Sequence, residues 1–323
     1  MMKRQLTYFL ASLAGMLLLS GCHSTVYEDL SDCPQGVDFA FYVRTPCATE
    51  PSYPAEIKQL RLFAFDEAGK LVREISASDI ALSRDYLLHT DYYRVGKSDF
   101  VAWAGSDLSL LDFGSFTPGT TTREQMIVAL KRQAESFAGL IPPIYVGRPD
   151  KGTLTQEDRS ALGTFYDRVD IHLEQITNRL RITLTGLDPE HKYSVRVEDN
   201  NSKYHIDGTF APDTRFSYLP KDLAMEERTV TATIDVMRLA TGRGALLIVT
   251  DETDGKEIMR KNLVEDLLLA RTPDAAARPY SLECDHLFDI RIDFDLDLDK
   301  GTYVAVFATI NKWNVVFRDV ILG

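Results

Sequence analysis

The sequence predicts a mainly β protein, with two tandem antiparallel β-sandwich domains and one or two short helices. Two observations carry this. Short apolar-alternating runs recur along the chain, with turn residues every 8–15 positions, and helical periodicity is confined to one or two segments. Strands do not alternate regularly with helices, so a parallel βαβ sheet is not expected.

The elements follow in order. "VDFAFYV" places Val37, Phe39, Phe41 and Val43 on one strand face. "IKQLRLFAFDEAGKLVREI" reads as a hairpin turning at Asp66-Glu67-Ala68-Gly69. "DYYRV" and "DFVAWAG" supply two more strands. Thr122-Arg123-Glu124-Gln125 fits a capping box, with Ile127, Leu130, Ala134 and Phe137 following at helical spacing, so a helix is expected there. "PPIYVGRPDKG" gives a short strand. The polar stretch Arg148 to Gly163 marks a domain boundary. Beyond it come "FYDRVDIHLEQI", "RLRITLTGL", "KYSVRVED", "RTVTATIDVMRL" and "ALLIVTD", the last turning at Glu252–Gly255 into "KEIMRKN". "NLVEDLLLA" suits a short helix. Three strands close the chain, "FDIRIDFDLDL", "TYVAVFATI" and "WNVVFRDVIL", with turns at Lys300-Gly301 and Asn311-Lys312.

The N-terminus has its own signature. Lys3 and Arg4 precede an apolar run from Leu6 to Leu19, too short to cross a bilayer and flanked like a secretory signal. It ends Leu19-Ser20-Gly21-Cys22, which resembles the bacterial lipobox. That resemblance implies a diacylglyceryl group on the Cys22 thiol, cleavage before it, and acylation of the new amine. Two or three chains hold a protein stably at about 0.8 kcal/mol per buried CH₂, where one holds it marginally. The expected organisation is a signal peptide 1–21, a tether 22–36, an N-terminal domain 37–163 and a C-terminal domain 164–323. The segment from residue 22 carries 34 basic and 48 acidic side chains, a net of −14. This argues against nucleic acid and against electrostatic adhesion to anionic lipid.

Cys22 is assigned to lipid. Cys33 and Cys47 bracket a short segment and are expected to pair, with either one bonded to Cys284 as the alternative.

Candidate chemistry is sparse. Asp293, Asp295, Asp297 and Asp299 share one strand face, but counting from Asp295 the calcium-loop positions for Gly and Glu hold Lys300 and Val306. A solvated acidic face explains them. Among His23, His89, His172, His191, His205 and His286 no zinc spacing occurs, and His172 reads as structural. No nucleophile elbow or phosphate loop is found, and no catalytic, metal or cofactor site is expected. Tyr92, Tyr93, Trp103 and Trp313 are candidates for a sugar platform, but alternation groups Trp313 with Val315 and Phe317 toward the core.

Several pieces together resemble one family: the lipobox at Cys22, "DCPQGVDFAFYV", "RLFAFDEAGKLV", "DFVAWAG" and the closing "NKWNVVFRDVIL". The chain is similar over most of its length to the anchoring subunits of type V fimbriae, the minor-fimbrium anchor in particular. The resemblance implies two transthyretin-like domains in a non-enzymatic, lipid-held protein, surface-exposed on the cell outer membrane at the base of the fimbrium. It implies the major shaft fimbrillin as direct partner, accessory tip subunits as indirect ones, and a limit on shaft length. Shaft subunits of that system lose an N-terminal segment to an arginine-specific protease, opening a groove that a neighbour's strand fills. Arg44 is a plausible target, and a Cys33–Cys47 bridge would span it and retain the lipidated end. Burial of a retained strand is the simpler safeguard. Residues 290–323 are the expected meeting surface. The alternative reading is a surface lipoprotein binding glycan or peptide in nutrient uptake, which would need an exposed aromatic platform.

Overall fold

A computed structural model describes residues 33–159, 163–269, 281–297 and 302–315. The expected signal segment, Cys22, most of the expected tether, Asp299, the turn expected at Lys300-Gly301 and residues 316–323 of the last expected strand lie outside the described residues. What is described is nearly all β. The first half carries β1 (Gln35–Val43), β2 (Gln59–Asp66), β3 (Leu71–Ala77), β4 (Leu87–Thr90), β5 (Gly96–Gly105), β6 (Leu111–Asp112), β7 (Ile127–Leu130), β8 (Ser136–Ala138), β9 (Ile144–Pro149), β10 (Leu154–Gln156) and β11 (Phe165–Gln175). The second carries β12 (Thr177–Thr185), β13 (Tyr193–Asp199), β14 (Lys203–His205), β15 (Phe216–Leu219), β16 (Leu223–Glu226), β17 (Thr229–Met237), β18 (Leu246–Asp251), β19 (Lys256–Asn262), β20 (Leu287–Asp297), β21 (Thr302–Ile310) and β22 (Trp313–Val315).

The first sheet runs β3-β2-β5-β9-β11-β1-β4, with β10 added on β5. Val37, Phe39, Phe41 and Val43 are all buried, as their alternation requires. Phe39 meets Phe100 of β5 edge-on at 4.9 Å although β9 and β11 separate the two strands in the sheet. The sheet therefore curls over its own core. The opposite face of β2 and β5, with Phe63, Phe65, Val101 and Trp103, belongs to a second core that also contains Val128, Leu130 and Tyr204. Trp103 is fully buried, and its indole N–H donates to the Ile206 carbonyl at 2.7 Å. It is a core residue and is unavailable to a sugar platform.

Two further sheets, β16-β17-β12-β20-β21-β22 and β19-β18-β13-β15-β8, share this second core through Leu180, Ile182 and Leu184 on one and Val195, Val197, Leu247 and Val249 on the other. A small sheet, β14-β7-β6, joins the halves. Only Ile176 separates β11, in the first sheet, from β12, in the six-stranded sheet. Residues 165–185 thus cross between the two, and the division expected at 163/164 falls just before this crossing. β8, from the first half, pairs in parallel with β15 of the second.

Most expected turns are found: Gly69 and Gly255 take positive φ at their hairpins, and Asn311 and Lys312 (φ 49° and 71°) form the two-residue turn between β21 and β22. Two expectations are corrected. The capping box closes only a single helical turn, Arg123–Gln125, in which the Thr122 N–H donates to Gln125 Oε1 at 3.0 Å. The chain then becomes β7, which buries Val128 and Leu130 at a spacing of two, while Ala134 is exposed. Pairing with β6 and β14 decides this, and it places Val128 and Leu130 in the same core as Trp103. The run "DYYRV" is likewise no strand: β4 precedes it, and Tyr92 buries its ring against Phe100. "NLVEDLLLA" does begin with a helix, a π-turn over Leu263–Leu268 capped by the Asn262 side chain, which accepts from the Val264 and Glu265 N–H groups.

Candidate functional site

Cys47 and Cys284 form a disulfide, with Cα atoms 5.9 Å apart. This overturns the expected Cys33–Cys47 pair; the alternative partner, Cys284, takes Cys47, and Cys33 is a buried thiol at the foot of β1. The reason is elementary. The nine residues of β1 lie extended between Cys33 and Cys47, which puts the two ends of the strand about 26 Å apart at ~3.3 Å per step. A disulfide needs Cα atoms within about 7 Å. The idea of a bridge spanning Arg44 falls with it. Chain on the N-terminal side of Arg44 is held by the β1 ladder, to β11 on one flank and β4 on the other.

Around the bridge the two halves meet. The loop leaving β1 is pinched shut where Val43 and Ser52 exchange backbone hydrogen bonds at 3.0 and 2.7 Å, so Cys47 projects on a short loop. The Arg44 carbonyl lies 2.6 Å from His172 Nε2, and His172 stacks on Tyr42 with centroids 5.3 Å apart. His172 is thus a structural histidine, as its place on an alternating strand suggests. A cavity of about 590 Å³ opens here, lined in part by Arg44, Pro46, Asn178, Arg238 and His286. Asn178 Oδ1 and His286 Nδ1 are buried with no protein hydrogen-bond partner. Burial holds the His286 imidazole below its ordinary pKa.

The six-stranded sheet ends in a different kind of surface. β22 pairs with only Ala308–Ile310 of β21, so residues 302–307 present an edge with no strand partner among the described residues. Large exposed apolar side chains gather on these last strands: Leu287, Leu296, Val306, Phe307 and Trp313. The register slips between Asp293 and Phe294, opposite Val306 and Phe307, which stand 53% and 39% exposed. Trp313 was expected in the core with Val315 and is corrected. Val315 is buried, but Trp313, on the same face of β22, is 42% exposed. Alternation sets the face of the strand, and at the hairpin end of an edge strand the opposing layer has run out. Phe317 lies outside the described residues.

The acidic strand behaves as a solvated face. Asp289 and Asp295 are exposed, Arg291 donates to Asp293 at 3.0 Å, and the Thr185 hydroxyl donates to the same carboxylate. One grouping escaped sequence reasoning: His191, Asp251 and Asp254 place ligand-type atoms within 4.8 Å of one another. Its members are 60 or more positions apart, or share a hairpin turn, so no spacing motif reveals them. His191 Nδ1 sits 2.7 Å from Asp251 Oδ2, while Asp251 Oδ1 accepts the Thr253 and Asp254 N–H groups and so shapes the β18–β19 turn. Its hydrogen bond to the Asp251 carboxylate raises the His191 pKa. Among the described residues no helix is long and apolar enough to cross a membrane.

Residues 30–319 match the family described as fimbrillin-A associated anchor proteins Mfa1 and Mfa2. The chain belongs to this family. It is 29% identical over 300 residues to the minor fimbrium anchoring subunit Mfa2 of Porphyromonas gingivalis, covering 91% of this chain and 90% of that one. The solved structure of that fimbrial anchor superposes with a TM-score of 0.78 at 27% identity, over 88% of this chain and all of the other. A DUF1812 protein of Bacteroides thetaiotaomicron shares the fold, with a TM-score of 0.72 at 21% identity, over 89% of this chain and 99% of that one.

Proposed function

We propose that this Mfa1/Mfa2-family protein is a non-enzymatic lipoprotein that fixes a fimbrial shaft to the outer membrane and limits its length. The observation that carries the reading is the end-to-end similarity to a minor fimbrium anchoring subunit, over 91% of the chain. The Leu19–Cys22 lipobox supports attachment through acyl chains on Cys22, since a net charge of −14 from residue 22 onward opposes electrostatic adhesion to anionic lipid. The direct partner is the first shaft subunit, engaged by strand addition. The exposed apolar side chains of β21 and β22 suit that mode, because a donated strand would take Val306, Phe307 and Trp313 out of water. Tip subunits are connected only through the shaft.

The test is a cell carrying Cys22→Ala. Fimbriae should appear in the medium or change in length, and attachment indistinguishable from wild type would refute the anchor.

A further inference from the structure

The disulfide joins cysteines 237 positions apart, one just after β1 and the other just before β20, and the geometry of those two strands is unusual. β1 runs parallel to residues 165–173, and β20 runs parallel to residues 179–185. Both therefore lie in the same direction along the single run 165–185 that crosses from the first sheet to the six-stranded sheet. β1 ends at Val43, and the ladder of β20 begins one residue early, where the Arg179 N–H donates to the His286 carbonyl at 2.7 Å. Cys47–Cys284 closes the gap between them, opposite the β11–β12 crossing.

We propose that the bridge splices β1 to β20 into one load-bearing track. This rests on the anchoring reading above, in which tension enters at Cys22 and leaves through the β20–β22 edge. On that path the pull passes along β1, through the two sulfurs, and directly into β20. Residues 48–283 are shunted out of the covalent line. The junction cavity, the small β14-β7-β6 sheet and most of both cores then carry no tension. Without the bridge the same pull reaches β20 only by shear across the β1–β11 and β12–β20 ladders. Backbone hydrogen bonds in those ladders would have to resist it, each contributing modestly. Strand β1 is suited to its part: it lies inside its sheet, with ladders on both flanks, and enters the bridge from its far end.

Single-molecule stretching of the chain from residue 22 onward, with handles at its two ends, tests this. Oxidised protein should release only the chain outside residues 48–283. Reduced protein, or the Cys47→Ala/Cys284→Ala variant, should release about 80 nm more, the contour of 237 residues at roughly 3.5 Å each. Release of that length by oxidised protein overturns the proposal. In cells, the double variant should keep its fimbriae at rest and shed them under shear that wild type withstands. Equal shedding of variant and wild type under shear also overturns it. If Cys22→Ala cells retain their fimbriae, the anchoring reading fails while the stretching result stands or falls by itself.

Discussion

Asp199, at the end of β13, is buried with one carboxylate oxygen accepting the Asn200 N–H at 2.7 Å and the other without a hydrogen-bond partner. Burial pushes its pKa up to about 6, against the opposing pull of Arg243 and Arg215. The unfolded chain therefore loses this proton at lower pH than the folded one. Between about pH 4 and pH 6 the folded state binds more protons, so stability falls as pH rises through that window and stays lower above it. Asp199→Asn should flatten this dependence and raise neutral-pH stability by up to about 3 kcal/mol. Urea unfolding at pH 5 and pH 7.5 reads it; an unchanged slope would contradict it. Arg132 presents the reverse case. Its guanidinium contacts Asp213 at 3.2 Å and Ser202 Oγ at 2.9 Å, and lies 4.1 Å from the Phe216 ring centre. Burial raises the Asp213 pKa, but hydrogen bonds from Ser202 and Thr214 and the charge of Arg132 bring it below the usual value. Arg132→Ala leaves a buried carboxylate short of its main cation and should cost about 3–5 kcal/mol. A melting curve measures the loss, and Asp213→Asn in the same background should recover part of it. Neither residue is legible from sequence: an Asp at a strand end and an Arg between Lys131 and Gln133 are ordinary until the fold buries them.

At the scale of elements, the disulfide dominates. It closes a loop of 237 positions, for which the chain-entropy model gives a stabilisation of about 5 kcal/mol. Comparison of denaturant midpoints with and without reductant should show a loss of that order, and no loss would mean the bridge is absent in solution. Strand edges yield a second expectation. Phe307→Asp places a charge on the exposed apolar edge of β21 without removing a buried side chain. Capture of the first shaft subunit should weaken about tenfold or more with the melting temperature unchanged. Capture at the wild-type level would remove this edge as the docking surface. The hairpins at Gly69, Gly255 and Asn311-Lys312 were legible because turn residues act locally. The misplaced helix was not. Ile127, Leu130, Ala134 and Phe137 satisfy helical spacing by sequence, but Val128 and Leu130 satisfy strand spacing as well, and only pairing with β6 and β14 distinguishes the two.

Across the whole molecule, one core cluster takes in Phe63 and Trp103 of the first sheet, Val128 of β7, and Leu180 and Ile290 of the six-stranded sheet. With β8 and β14 exchanged between halves and residues 165–185 shared, the molecule should unfold in a single transition. Calorimetric and van't Hoff enthalpies should agree; two separated transitions would show that the halves fold independently. By itself the sequence determined the β class, the hairpin positions and the buried face of β1, because each depends on neighbours within a few residues of one another. Only the tertiary structure decided the partner of Cys47, the strand in place of the helix, the exposure of Trp313 and the shared core. Those depend on which surfaces meet across more than a hundred positions of chain, and local periodicity holds no record of that distance.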